Sequence, residues 1–577
     1  MTRFGAASTS AWEFAQLERF WERFSPLTPW GKDEKAARSV LADLPAIEAL
    51  YDGTETALRL LARLEGESAA LDRLNWHLRR LPRFPLDKPE RNSSYDIVEI
   101  FQVKKFLANY RALLAIAGGE CAAFFGFAFT SQGLASALDL GGSDAESFYV
   151  ADAYDERLHE LRKRIAAVDT AIAACRAEAA RVALERWKLD FDGRDFLILP
   201  HKAARGMSLD RSFLAIEAYD DSSFVVRLQQ GQDELDLAAE RDILEESERG
   251  VENAVLVRLS AMIAGELESL SRYADAVCAF DLALARASLA KSLGLTRPIL
   301  SAAVKGGAVA PIVLRGGSYL PCAWECEALG LRYTPLDFEL AEAGAVIFGS
   351  NMGGKTVVLE SIVFMQVLAQ AGFFLPALFF SAPVCTLVHY VGDATSGRRG
   401  KAAIASPKGG TGMAPADDSA TGEGLSGFGF EIWSFVEAWK DSRDGALVVF
   451  DEFARTTSSY EAEAILSAVV EALVSRPGTH CLFSTHFRGV ARLPGVRYLR
   501  VRGLDRAAAR GAICAEGELL QERIRRINGM MEYGLVDDSG PSPRRSDAIA
   551  IASLLGLDCG IVTRAEGIYT ARSREME

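Results

Sequence analysis

A chain of 577 residues is too long for one core and is expected to form two to four domains. With 49% hydrophobic and 25% charged residues it is not a disordered chain. A net charge of -14 confines any nucleic-acid contact to a locally basic face.

No apolar run is long enough to span a bilayer, and the opening MTRFGAASTSAWEF lacks the basic-then-apolar pattern of a secretory signal, so a cytoplasmic setting without membrane contact is expected. The nine cysteines are scattered singly. The nearest pair, Cys322 and Cys326, has no companion pair to complete a zinc site, so they read as reduced, mostly buried small residues.

Residues 1–150 read as a helical core. Leu17, Phe20, Trp21 and Phe24 form one apolar stripe, and Ile100, Val103, Leu107, Tyr110 and Leu114 a second at helical spacing. The Pro-rich LPRFPLDKPERNSS separates them. Residues 151–300 read as an arm. Leu158, Leu161, Ile165, Val168, Ile172, Cys175, Ala179 and Val182 recur at spacings of three and four among charged residues, as in a coiled coil. The alternating runs DFLILP and SFVVRL then predict a small β cap at about 191–233. Val255, Leu259, Met262, Ile263, Leu267 and Leu270 return the chain as helix. An ordinary helical bundle would show the same stripes; two antiparallel helices with a β cap is the more economical reading.

Residues 301–577 change to short β-rich runs alternating with helices, the pattern of an α/β domain. Buried strands are predicted at Ala345 to Phe348, Thr386 to Val391, Ala446 to Phe450 and Cys481 to Thr485. Between the second and third lies a segment rich in Gly, Ser and Ala, 396–424, expected to be a mobile loop.

Directly after the first of these strands comes GSNMGGKT, comprising Gly349, Ser350, Asn351, Met352, Gly353, Gly354, Lys355 and Thr356. It fits G-x-x-x-x-G-K-[ST]. Such glycines let backbone N–H groups wrap phosphates, the lysine reaches the β and γ groups, and the threonine can ligate Mg²⁺. The plain alternative is a Gly-rich turn before a helix, with Lys355 in solvent. ALVVFDE places Asp451 and Glu452 at a strand end, where one carboxylate can hold the metal shell and the other can orient or deprotonate water. CLFSTHF ends a third strand at His486, an imidazole within reach of a γ-phosphate. Singly, a turn carboxylate and a structural histidine are the commoner readings; three such strand ends in this order point jointly to ATP and Mg²⁺.

These motifs resemble the MutS family. GSNMGGKT is similar to its G-P-N-M-G-G-K-S, DEFARTTSSYEAEAI to its D-E-I-G-R-G-T-S-T-Y-D-G, STHF to its A-T-H-Y and GLSGFGFEI to G-R-S-T-F-M-V-E-M, while SDAIAIASLLGL resembles its closing helix. The likeness is strong over about 300–560 and weaker over the arm. It implies a multidomain α plus α/β protein: a helical core, a coiled-coil lever arm with a clamp-like β cap, then a P-loop ATPase domain of ABC type ending in a helical dimerisation segment. It also implies a homodimer in which Ser426 and Gly427 of one subunit act in trans on the nucleotide of the other, with Glu452 as the base.

The sequence also departs from that family. It runs almost directly into helices, with no F-x-E segment of a mismatch reader. From Phe191 to Asp233 there are five Lys or Arg against seven Asp or Glu, where a clamp on DNA phosphates needs a basic stripe. Lys202, Arg205 and Arg211 therefore read as ordinary surface charge. Arg398, Arg399, Lys401 and Lys408 suit either nucleic acid or interface flexibility. Ala454-Arg455-Thr456-Thr457 replaces G-R-G-T, although Thr457, Ser458 or Ser459 can still cap the following helix. These departures look like the branch associated with reactivation of cobalamin- and PLP-dependent lysine and ornithine aminomutases. The implied client is thus a protein; the alternative is a DNA-binding ATPase of mismatch repair or recombination.

Overall fold

The computed structural model describes residues 3–66, 68–86, 94–142, 147–204, 210–302, 309–349, 354–392, 427–441, 444–455, 457–487, 489–509, 520–538 and 547–575. The Gly-rich segment 396–424, Ser350 to Gly353, Ser426 and Thr456 lie outside the described residues. The chain folds as two compact units. One comprises 1–75, 117–126 and 277–577, and the other 76–116 and 127–276. These boundaries differ from the segments read as 1–150, 151–300 and 301–577: residues 1–75 and 117–126 fold with the carboxy-terminal α/β part, apart from 76–116 and 127–150.

The second unit contains the arm. Helix Glu156–Trp187 opens on Asp155, whose carboxylate accepts from the Arg157 N–H, and closes on left-handed Lys188. Helix Gln232–Gly265 runs back along it. Ion pairs fix the antiparallel register: Arg162 reaches Glu248 and Glu252, Asp169 meets Arg241, and Arg176 meets Glu234. Between the helices lies an antiparallel three-stranded sheet, ordered Leu197–Pro200, Ser223–Leu228, Leu214–Asp220. One face packs Leu214 and Val226 against Ala183, Leu189 and Phe191, so alternation along the strands decides which residues enter this small core. In the same unit Ile100, Val103, Leu107 and Tyr110 are buried on the part of helix Ile97–Phe125 that precedes its break at Gly118 (φ +78°). Leu113 is buried there, while the expected Leu114 is only half-buried.

The first unit is built on an eight-stranded sheet in the order Arg3–Phe4, Ala7–Ser8, Leu387–Val391, Ala446–Asp451, His480–Thr485, Gly344–Phe348, Val496–Leu504, Met531–Asp537. The run from Ala7–Ser8 to Val496–Leu504 is parallel, and the outermost strand on each side is antiparallel to its neighbour. The four expected strands are all present, each within a residue of its expected bounds. Their continuous apolar sequence follows from helices on both faces. Helix Lys355–Gln370 covers one face; helices Gly427–Asp441 and Ser459–Val474 cover the other. The Leu17–Phe24 stripe belongs to the first face, where Phe20 lies edge-on to Phe364, and Trp21 and Phe24 edge-on to Phe373. A second sheet of four strands, Ile299–Ser301, Phe379–Pro383, Ile312–Gly317 and Leu336–Leu340, completes the unit. No described helix is long and apolar enough to cross a membrane.

Candidate functional site

Register brings the motif residues together. Phe348, the last residue of its strand, pairs with Thr485, and Asp451 pairs with Ser484. Parallel strands in this alignment end on one edge, so Gly349, Asp451, Glu452 and His486 leave the sheet side by side. This is the crevice at the carboxyl ends of strands where open α/β sheets bind ligands.

Gly354 caps helix Lys355–Gln370 in the left-handed region (φ +83°), and a Cβ there would come within 3.0 Å of the Tyr533 ring. Glycine meets both demands at once. The helix start then presents Lys355 and Thr356. Lys355 is buried; its Nζ donates to the Gly349 carbonyl at 2.7 Å and lies 3.6 Å from Glu452 Oε1. Burial lowers its pKa, opposed by the Glu452 and Asp451 carboxylates. A buried cation bent back on its own loop is matched to an incoming polyanion, which would take over the role of these carboxylates.

Thr356 Oγ1 donates to Asp451 Oδ2 at 2.9 Å, and Ser484 Oγ donates to Asp451 Oδ1. Burial raises the Asp451 pKa, while these two hydroxyls lower it. A threonine hydroxyl in contact with a carboxylate is the hard-oxygen donor set that suits Mg²⁺, which keeps its remaining positions for waters and phosphate oxygens. Glu452 adopts a left-handed φ of +50°, and its N–H donates to both the Ser484 carbonyl and Ser484 Oγ, each at 3.1 Å. Its carboxylate also takes an Arg455 Nη1 bond at 3.2 Å. His486 follows, its ring against Phe487, with a pKa lowered first by burial and then by Lys355 and Arg455, against the pull of Glu452. A neutral imidazole can accept or donate beside a phosphate.

Sequence reasoning missed three residues here. Ser484 lies inside the quoted STHF run, yet its two-way bonding depends on a partner 33 positions away. Tyr533 against Gly354 left no local signal. Glu431 is the third: buried on helix Gly427–Asp441, its Oε2 accepts the Ala454 N–H at 2.7 Å. Its only signal was a lone carboxylate within the apolar run GFGFEIW. The cap of helix Ser459–Val474 falls on one of the three expected residues. Ser458 is the capping residue, but its hydroxyl makes no cap bond and donates instead to Glu461 Oε2 at 2.6 Å. Of the two residues expected to act in trans, Gly427 begins a helix and Ser426 is outside the described residues.

Residues 411–570 match the family model described as MutS domain V. The chain is 25% identical over 337 residues to a DNA mismatch repair protein MutS of Shouchella clausii, covering 57% of this chain and 32% of that protein. It is 28% identical over 429 residues to a DNA mismatch repair protein MutS of Erythrobacter litoralis, covering 73% of this chain and 43% of that protein. To an endonuclease MutS2 of a Geobacillus species it is 26% identical over 327 residues, covering 56% of this chain and 34% of that protein. The chain thus spans between a third and about two fifths of the length of these relatives. Family model and relatives together support the MutS family; they do not distinguish a branch within it.

Proposed function

We propose that this chain is a dimeric MutS-type ATPase, cytoplasmic, that couples ATP binding and hydrolysis to movement of its capped arm on a partner. The observation that carries the reading is the meeting of Thr356 with Asp451 at 2.9 Å, beside Lys355 and Glu452 at 3.6 Å, at the carboxyl edge of a parallel sheet. Bound ATP with Mg²⁺ supplies the scissile phosphoanhydride and the neutralising charge. Lys355 would hold the β and γ groups, the Gly349–Gly354 motif would supply their backbone donors, and Thr356 and Asp451 would hold the metal. Glu452 accepts the proton of the attacking water, with Arg455 fixing its carboxylate. His486 stands at the γ-phosphate end. Ser426 and Gly427 act in trans on the partner subunit's nucleotide. Exposed Trp433 and Val436 on helix Gly427–Asp441, at 42% and 38%, support a second copy there.

The partner we propose is a protein, a cobalamin-dependent aminomutase whose cofactor is exchanged as the arm moves. The support is the cap, in which acidic residues outnumber basic ones seven to five over 191–233. The second reading is a DNA-binding ATPase of mismatch repair or recombination, favoured by what the relatives are named for.

The test uses the purified full chain. Lys355→Ala abolishes tight nucleotide binding, and Glu452→Gln binds ATP and accumulates as a dimer that does not turn over. Normal hydrolysis by Glu452→Gln removes the assigned base, and a chain that stays monomeric with ATP and magnesium removes the reading. ATP-stimulated cofactor exchange in an aminomutase, set against salt-sensitive stimulation by duplex DNA, separates the two partners.

A further inference from the structure

Helix Gly427–Asp441 meets the sheet through Phe428, Glu431, Phe435 and Ala438, spaced three, four and three apart. Three of these contacts are apolar. Phe435 lies 5.8 Å from Phe450 and 6.4 Å from Phe453, ring centre to ring centre, and Ala438 is buried. The fourth is a carboxylate, only 4% exposed. A charge at such a place is costly unless hydrogen bonds satisfy it, so what Glu431 holds matters. It holds the backbone N–H of Ala454 at 2.7 Å.

Ala454 is itself unusual. Its φ is +62°, and Glu452, two residues before it, is at +50°. Both lie in the left-handed region that residues with a Cβ avoid. The turn carrying Glu452 is therefore strained at two positions, and Phe453 between them is fully buried. Such a turn keeps its shape only where its surroundings over-determine it. The sheet side supplies Ser484, which takes the Glu452 N–H. The helix side supplies Glu431.

We infer that Glu431 is a positioning residue that ties the start of helix Gly427–Asp441 to the turn bearing Glu452. What the helix start meets in one subunit thereby sets the placement of the base in that same subunit. The inference rests on the trans role of Ser426 and Gly427 proposed above. Gly427 lies four residues, about one helical turn, before Glu431. Nucleotide held by the partner subunit bears on this helix start, the helix bears on Ala454 through Glu431, and Glu452 moves into or out of line. Occupancy of one site thus licenses hydrolysis at the other.

The experiment measures ATP turnover per intact site in full-length homodimers and in mixed dimers containing one Lys355→Ala subunit, which cannot present nucleotide to its neighbour. A wild-type site paired with Lys355→Ala slows at least fivefold. Glu431→Ala homodimers turn over at least tenfold more slowly than wild type with nucleotide affinity within twofold, and pairing with Lys355→Ala slows them no further. Glu431→Gln, which keeps an acceptor oxygen for the Ala454 N–H, restores more than half of both the rate and its dependence on the partner. Ala454→Gly relaxes the turn and, combined with Glu431→Ala, regains rate without regaining the dependence. A Glu431→Ala site that still slows fivefold beside Lys355→Ala overturns the inference. So does a Glu431→Gln site as defective as Glu431→Ala, because a residue needed only for its charge would behave that way. Failure of wild type to bind ATP, or full activity of Lys355→Ala homodimers, would instead sink the ATPase reading, so the two failures are told apart. Urea unfolding midpoints of each variant distinguish a displaced base from a lost fold.

Discussion

In the sheet of the first unit, Gly344–Phe348, Leu387–Val391 and His480–Thr485 are buried at every position, whereas helix Glu156–Trp187 of the second buries only Leu158, Val168 and Ala183 among its 32 residues. The first unit gains precision from packing on both faces of a sheet. Side chains that leave such strands are held to within a few tenths of an ångström by neighbours that cannot move, as pre-organised binding of phosphate and metal demands. The arm is held by a half-buried stripe and by charges reaching from helix to helix. The difference is between a region whose geometry must not change and one whose parts can move together without losing a core.

The comparison is broken most directly at Phe450. It is fully buried, stacks on Phe483 at 4.2 Å and meets Phe435 and Phe453. Phe450→Ala is expected to destabilise the first unit by about 3–5 kcal/mol, measured by denaturant unfolding, and to weaken nucleotide binding with it. Unchanged nucleotide affinity in the folded variant would show that the strand ends are positioned by something other than this core.

Glu360 sharpens it. One turn beyond Thr356 on the same helix, its carboxyl is pushed up to about 8, first by burial and then by Asp451 and Glu325. A carboxyl raised in the folded state contributes its full stability below the ordinary carboxylate range and loses it as pH climbs toward 8. Glu360→Gln is therefore expected to be near neutral at pH 5 and stabilising by on the order of a few kcal/mol above pH 8, without magnesium. A difference that does not change with pH would rule out the titration.

The smallest effect is expected in the arm. Arg162 bridges Asp152, Glu248 and Glu252 at 2.6, 2.6 and 2.7 Å, with its side chain 32% exposed. Arg162→Ala should cost roughly 1 kcal/mol or less and leave ATP turnover alone, while hydrogen exchange rises near both helices. A loss as large as that at Phe450 would mean that the arm, too, is built as a core.

How far the sequence revealed this depends on distance along the chain. Ala345 to Phe348 and Ala446 to Phe450 were readable because a wholly buried strand writes itself as an unbroken apolar run, and the polar residue ending it is conspicuous. The outgoing helix of the arm was readable from its spacing. Ser484 and Glu431 were not, because each acts through a hydrogen bond to a residue 32 or 23 positions away. Nor could periodicity name partners. Leu17, Phe20, Trp21 and Phe24 announce a buried helical face, yet nothing in them says that Phe364 and Phe373 cover it. The strands Arg3–Phe4 and Ala7–Ser8, at two residues each, are too short to carry alternation, and they join the main sheet only because Leu387–Val391 offers a free edge.

The outgoing helix of the arm has 32 residues and the returning one 34. At 1.5 Å per residue that is a rod of about 50 Å. Cross-linked along its length by Arg162, Arg241 and Arg176, the pair resists bending, so a tilt of some 5° at its base would sweep the capped tip through roughly 4 Å. A displacement of that size exceeds the reach of a hydrogen bond, so a sub-ångström rearrangement at the foot of the rod is amplified at its far end into the breaking or making of whole contacts.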